Sequence, residues 1–117
     1  MRVILLLLVL IAFRADAQQS TTMFRGGPHH AGVSPTKGVP ELGGLLWRFQ
    51  THGPVRSSPT IAGDELFVGS GDGALYALDT WTGRERWRFP AGAGVSSSPA
   101  VTNDAVFFSD LGGSIYS

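Results

Sequence analysis

The chain repeats itself every forty residues, and this constrains its fold more than any other feature. Shifted by forty positions, Trp47-Arg48-Phe49 falls on Trp87-Arg88-Phe89 without a gap. In the same register Val55 meets Val95, Ser57-Ser58-Pro59 meets Ser97-Ser98-Pro99, Asp64 meets Asp104, Phe67 meets Phe107, Gly73 meets Gly113 and Tyr76 meets Tyr116. Eleven of the 31 pairs from Trp47/Trp87 to Ala77/Ser117 are identical. A period near forty, rich in strand formers and glycine turns, is the signature of propeller blades.

The expected fold is therefore all-β, a β-propeller of four-stranded blades. Residues 45–86 form repeat one and residues 87–117 an incomplete repeat two. The match is still running at Ser117, so the expectation is an N-terminal fragment of about one and a half to two blades. Within repeat one, four strands are expected at Ser58 to Ala62, Glu65 to Gly69, Ala74 to Asp79 and Glu85 to Pro90. Turn residues separate them at Gly63-Asp64, Gly71-Asp72-Gly73 and Thr82-Gly83, where glycine tolerates positive φ and Asp bonds its own turn. Period-two alternation sets Arg84, Arg86 and Arg88 on one face of the last strand. Glu85, Trp87 and Phe89 take the other face. The arginine stripe reads as a solvated face or as one ion-paired with a neighbouring blade. A single blade cannot bury both faces and needs a neighbour on each side.

Residues before the repeats read differently. Arg2 is followed by an unbroken apolar run from Val3 to Phe13 and by Ala15-Asp16-Ala17, a small-x-small cleavage pattern. Eleven apolar residues are too few to span a bilayer as a helix, but they suit a secretory signal peptide at residues 1–17. The expected location is periplasmic or secreted, with no transmembrane span after cleavage. Residues 18–44 form an irregular lead-in, rich in Gly, Pro, Ser and Thr and without sustained period. The chain has no cysteine, which removes a disulfide framework, thiolate chemistry and thiolate-ligated metals. Beyond Ala17 it carries seven Lys/Arg and eight Asp/Glu, so no basic field draws in nucleic acid.

Residue types that could carry chemistry have plainer readings. His29 and His30 are adjacent and point apart on an extended chain, and His52 precedes a Gly-Pro turn. No carboxylate spacing completes a metal site around them. Ser57-Ser58 and Ser96-Ser97-Ser98 recur with the repeat, whereas a nucleophile needs one position beside a base. They read as strand-start residues that bond the backbone of the neighbouring blade. Gly69-Ser70-Gly71-Asp72-Gly73 lacks the lysine and following helix of a phosphate loop and reads as a hairpin. Asp72 and Asp79 read as turn carboxylates. No catalytic residue is assigned.

Three stretches carry a family likeness: Ser57-Ser58-Pro59-Thr60-Ile61, Leu66-Phe67-Val68-Gly69-Ser70-Gly71-Asp72-Gly73, and Leu75-Tyr76-Ala77-Leu78-Asp79 followed by Thr82-Gly83 and Trp87. They resemble the pyrroloquinoline-quinone-like (PQQ-like) β-propeller repeat family. The stretch Met23 to Val33 is similar to the lead-in of exported members. The spacing Ala77-x-Asp79-x-x-x-Gly83-x-x-x-Trp87 resembles the tryptophan-docking motif that locks blades together, which implies a structural role for Ala77, Asp79, Gly83 and Trp87. The resemblance implies two classes of function. One is a binding or scaffold module, like the factors that support outer-membrane barrel assembly, meeting a protein or peptide through its rim loops. Those factors are tethered by a lipidated cysteine, which this chain lacks. The other is the N-terminal part of a quinoprotein dehydrogenase that oxidises an alcohol or sugar with PQQ and calcium. No cofactor is expected in residues 1–117 themselves, because the family's ligand set maps onto none of them.

Overall fold

The computed structural model describes Phe24, Arg25, His29, His30, Gly32 and residues 43–117. The apolar run at residues 3–13 and the cleavage pattern at 15–17 lie outside the described residues. Among the described residues seven strands follow one another: β1 (Thr60–Ala62), β2 (Glu65–Ser70), β3 (Ala74–Asp79), β4 (Glu85–Pro90), β5 (Ala100–Val101), β6 (Val106–Ser109) and β7 (Ile115–Tyr116). They form two antiparallel meanders, a sheet ordered β1-β2-β3-β4 and a sheet ordered β5-β6-β7. The architecture is all-β, and the two sheets are consecutive blades in the order that the forty-residue period requires. None of the described residues forms a helix long and apolar enough to cross a membrane.

Three details differ from the sequence reading. β1 begins at Thr60, two residues after Ser58, because Pro59 has no N–H for the ladder and the Ser58 N–H donates to Ser98 Oγ at 3.1 Å. β2 continues one residue further, to Ser70, which pairs with Ala74 across a tight hairpin. In β4 the register slips between Ala77, which faces Trp87, and Leu78, which faces Glu85. Arg86 is the extra residue of this bulge, and the even alternation of three arginines is broken there.

Blade one is covered on both faces. On its rear face, Val68, Ala74, Tyr76 and Leu78 pack under Trp47, Phe49 and Leu66. On its forward face, Phe67 and Ala77 meet Val101 of blade two, and Leu75 meets Val95 and Phe108. Close approach between the blades depends on Gly69. A Cβ built there would lie 2.5 Å from Val95 Cγ1 and 2.8 Å from the Val95 carbonyl oxygen. Val95 fills the missing side chain's place and is fully buried. The Val95 N–H donates to Ser70 O at 2.9 Å and the Ala91 N–H to Gly73 O at 2.7 Å, which stitches the connecting loop to blade one.

The serines divide their work. Ser57 Oγ donates to Gly69 O and accepts from Gly69 N within its own blade, at 2.9 and 2.8 Å. Ser97 repeats both bonds with Ser109, each at 2.8 Å. Ser98 reaches the neighbouring blade, through Ser58. The expectation that all of these serines bond across blades is corrected to one of them. Ser57 and Ser97 instead close the gap where the chain enters the sheet beside a proline-containing stretch.

Candidate functional site

The β3–β4 hairpin builds a rigid platform at one end of blade one. Asp79 Oδ1 accepts the Trp81 N–H at 3.0 Å, the Thr82 N–H at 2.8 Å and the Thr82 hydroxyl at 2.9 Å. The Gly83 N–H returns to Asp79 O at 2.9 Å, and Gly83 closes the turn with φ +68°. A side chain at Gly83 is excluded twice, by that φ and by the Trp47 ring, whose Cδ2 would lie 2.5 Å from a Cβ. Trp47 lies flat on the turn, and its Nε1–H donates to Thr80 O at 2.9 Å.

Of the four residues of the docking spacing, the structure brings Ala77, Asp79 and Gly83 to one hairpin, and the tryptophan seated on that hairpin is Trp47. Trp87 stands opposite Ala77 in the same sheet. It faces forward, with its ring centroid 5.8 Å from that of Phe67 and 40% of its surface exposed. It lines an apolar groove between the blades, of about 370 Å³, with Phe67, Leu75, Phe89, Val106 and Phe108.

Arg86 braces the platform from below. It bonds Asp64 Oδ2 at 2.6 Å and Asp79 Oδ2 at 2.7 Å, with Glu65 at 3.7 Å. These partners lie in its own blade, so of the two readings of the arginine stripe, a solvated face or pairing with a neighbouring blade, the second does not hold for Arg86. The bulge turns Arg86 back toward the two turns of its own sheet. The Arg86 guanidinium, then the N–H and hydroxyl of Thr82, hold the Asp79 carboxyl well below the usual carboxylate range. The hydrogen bond from Arg86 lowers Asp64 in the same way.

At the opposite end, each blade has a tyrosine–carboxylate pair. In blade one the Tyr76 hydroxyl donates to Asp72 Oδ2 at 2.8 Å, and Asp72 also accepts the N–H groups of His52 at 2.9 Å and Ala74 at 3.1 Å. Burial opposes the charge on Asp72. The bonds from Tyr76, His52, Ser70 and Ala74 outweigh it and leave the carboxyl below its ordinary value. Burial, and then the adjacent carboxylate, push the Tyr76 hydroxyl up. In blade two the Tyr116 hydroxyl donates to Asp110 Oδ2 at 2.9 Å and accepts the Gly92 N–H at 3.0 Å. The Ser114 N–H, the leading cause, and the Tyr116 hydroxyl hold Asp110 low against its desolvation. Both pairs tie the loop that leads into a blade to that blade's central hairpin.

Sequence reasoning did not find this equivalence. Tyr76 and Tyr116 are forty residues apart, but their carboxylates are not: Gly112 stands where Asp72 would, and Asp110 stands where Ser70 would. A search for an Asp within six residues before each repeated tyrosine would have shown it. His30, at φ +48°, has its Nδ1 2.9 Å from Phe24 O, so its described contact is a local loop bond. Among the described residues no three His, Asp or Glu side chains converge to hold a metal ion.

Comparison with known sequences decides the family. The model of the family described as outer membrane protein assembly factor BamB, a PQQ-like repeat family, matches residues 38–117. The chain belongs to this family. The match covers every strand of both blades of this PQQ-like propeller module. No curated protein matches the chain.

Proposed function

We propose that this BamB-like chain is an exported binding or scaffold module of the cell envelope, cut after Ala17 and acting on protein or peptide partners through its rim turns. The observation that carries the reading is Trp81. It stands at the tip of the β3–β4 turn with 76% of its surface exposed. The backbone beneath it is held by Asp79, Gly83 and the Trp47 ring. A large aromatic side chain held out on a rigid turn loses little freedom on binding, which is the character of an interface hot spot. In this reading Ala77, Asp79, Gly83 and Trp87 are joints between blades and carry no chemistry. The partner class that suits an exposed indole is an extended peptide with alternating aromatic and polar residues, as in the strands of a membrane barrel.

The test is a titration of the chain with synthetic barrel-strand peptides, followed by isothermal calorimetry. Saturable binding that is lost in Trp81→Ala, with the thermal midpoint unchanged, supports the reading. Absence of saturable binding, or equal binding by Trp81→Ala, overturns it. N-terminal sequencing of the protein recovered from the envelope should start near Gln18. An intact Met1 there would contradict cleavage.

A further inference from the structure

Four glycines have no conformational reason to be glycine. Gly53, Gly71, Gly94 and Gly112 all lie outside the left-handed region of backbone space. Each sits instead in a tight joint, where the loop entering a blade rests on that blade's central hairpin. In joint one, loop 52–54 meets hairpin 70–73, and in joint two, loop 92–94 meets hairpin 110–113. The backbone contact is the same in both. The Gly71 N–H donates to Pro54 O at 2.8 Å, and the Leu111 N–H donates to Gly94 O at 2.9 Å. That bond repeats with the forty-residue period and cannot tell one unit from the other.

The side chains can. In joint one a Cβ at Gly53 would collide with Asp72 N and lie 2.8 Å from Gly71 C. A Cβ at Gly71 would lie 3.0 Å from Cγ and Cδ of Pro54, a ring that cannot turn away. In joint two Leu111 covers Gly94, its Cδ1 3.5 Å from where a Cβ would stand, and Ala93 Cβ lies 3.5 Å from a Cβ at Gly112. The period matches Gly53 with Ala93, Asp72 with Gly112, Pro54 with Gly94 and Gly71 with Leu111. In both pairs the smaller and the larger partner have changed places between the units. The displaced carboxylate belongs to the same exchange. Where glycine stands at position 112, the acceptor for the tyrosine hydroxyl comes from Asp110.

We propose that these reciprocal sizes are a matching code, by which each entry loop seats on the hairpin of its own unit and is rejected by that of the other. Loop two on hairpin one would drive the Ala93 methyl into the backbone at Asp72 and leave Gly94 facing Gly71 with no side chain between them. Loop one on hairpin two would press the Pro54 ring against the Leu111 Cβ and leave Gly53 facing Gly112. Every wrong pairing therefore contains one clash and one void, and both destabilise. Repeat chains misassemble by docking equivalent segments of the wrong unit, within a chain or between copies, and the code opposes that.

The test recreates both wrong pairings inside joint one of the full chain. His52→Gly, Gly53→Ala and Pro54→Gly together place the loop of unit two on hairpin one. Ser70→Asp, Gly71→Leu and Asp72→Gly together place the hairpin of unit two under loop one. Each exchange alone should lower the thermal midpoint by on the order of 10 °C, and the chain carrying both should recover most of that loss. Losses that simply add overturn the proposal, and so does either exchange leaving the midpoint unchanged. A milder pair keeps the test decisive where an exchanged chain does not fold. Gly71→Ala should lower the midpoint in the native chain and leave it nearly unchanged in the Pro54→Gly background. Equal shifts in the two backgrounds overturn the code.

Discussion

Blade one and blade two have the same plan but different surroundings, and most residue-level differences between them follow from that. Blade one lies between the Trp47–Phe49 segment and blade two, so its faces are lined by residues that tolerate no change in size. Gly69 has given up its side chain to Val95. Its counterpart in blade two, Ser109, keeps a side chain. The Ser57/Ser97 clasp, by contrast, works inside a blade and appears in both with bond lengths agreeing within 0.1 Å. The serine clasp repeats with the sequence, whereas the Gly69–Val95 contact belongs to the joint between these two blades.

The largest expected effect is a contrast between equivalent tryptophans. Trp47→Ala removes a ring that packs against the cluster of Val68, Ala74, Tyr76 and Leu78 and donates to Thr80 O, and should cost about 3 kcal/mol. Trp87→Ala, on the partly open groove, should cost about half of that, because less buried surface is lost. Urea denaturation of both variants measures the difference. Equal losses would break the claim that Trp47 is the ring seated on this hairpin.

Next comes the glycine. Gly69→Ser should cost about 2 kcal/mol or more, since Val95 and its carbonyl must retreat and the blades separate. Ser109→Gly should cost less, about 1 kcal/mol, through loss of packing and backbone entropy alone. Similar midpoint shifts for the two would show that the blades do not approach as closely as described.

The tyrosines sharpen the comparison. Tyr76→Phe should cost about 1 kcal/mol, because Asp72 keeps the N–H groups of His52 and Ala74. Tyr116→Phe should lower the melting temperature further, since the Gly92 N–H also loses its acceptor.

The smallest effect is acid sensitivity at the Asp79 turn. The folded-state value of Asp79 lies below its unfolded value of about 3.9, so ionisation stabilises the fold above that pH. The contribution is lost as pH falls toward the folded value. The protection of the amides of residues 80–84, taken relative to their intrinsic exchange rates, should therefore fall on going below about pH 4. In Asp79→Asn that acid-dependent part should disappear.

The sequence disclosed what the period carries: the fold class, the limits of β3 and β4, the turn at Asp79–Gly83 and the clasp serines' place at strand starts. It concealed what depends on a gap or on a neighbour. The carboxylate of the tyrosine pair moves from position 72 to position 110, two residues out of register, so a gapless alignment pairs Asp72 with Gly112. Strict alternation could not foresee the bulge that turns Arg86 toward Asp64 and Asp79. The motif spacing names Trp87, but spacing along a chain does not say which unit's indole rests on a given turn. That depends on how the sheets stack, and it is Trp47 that reaches Gly83.

The Gly69–Val95 contact sets more than the distance between two sheets. An isopropyl group rests there against a bare α-carbon and acts as a shim between the two sheets. A methyl more or less at this point would alter the angle at which the two blades meet.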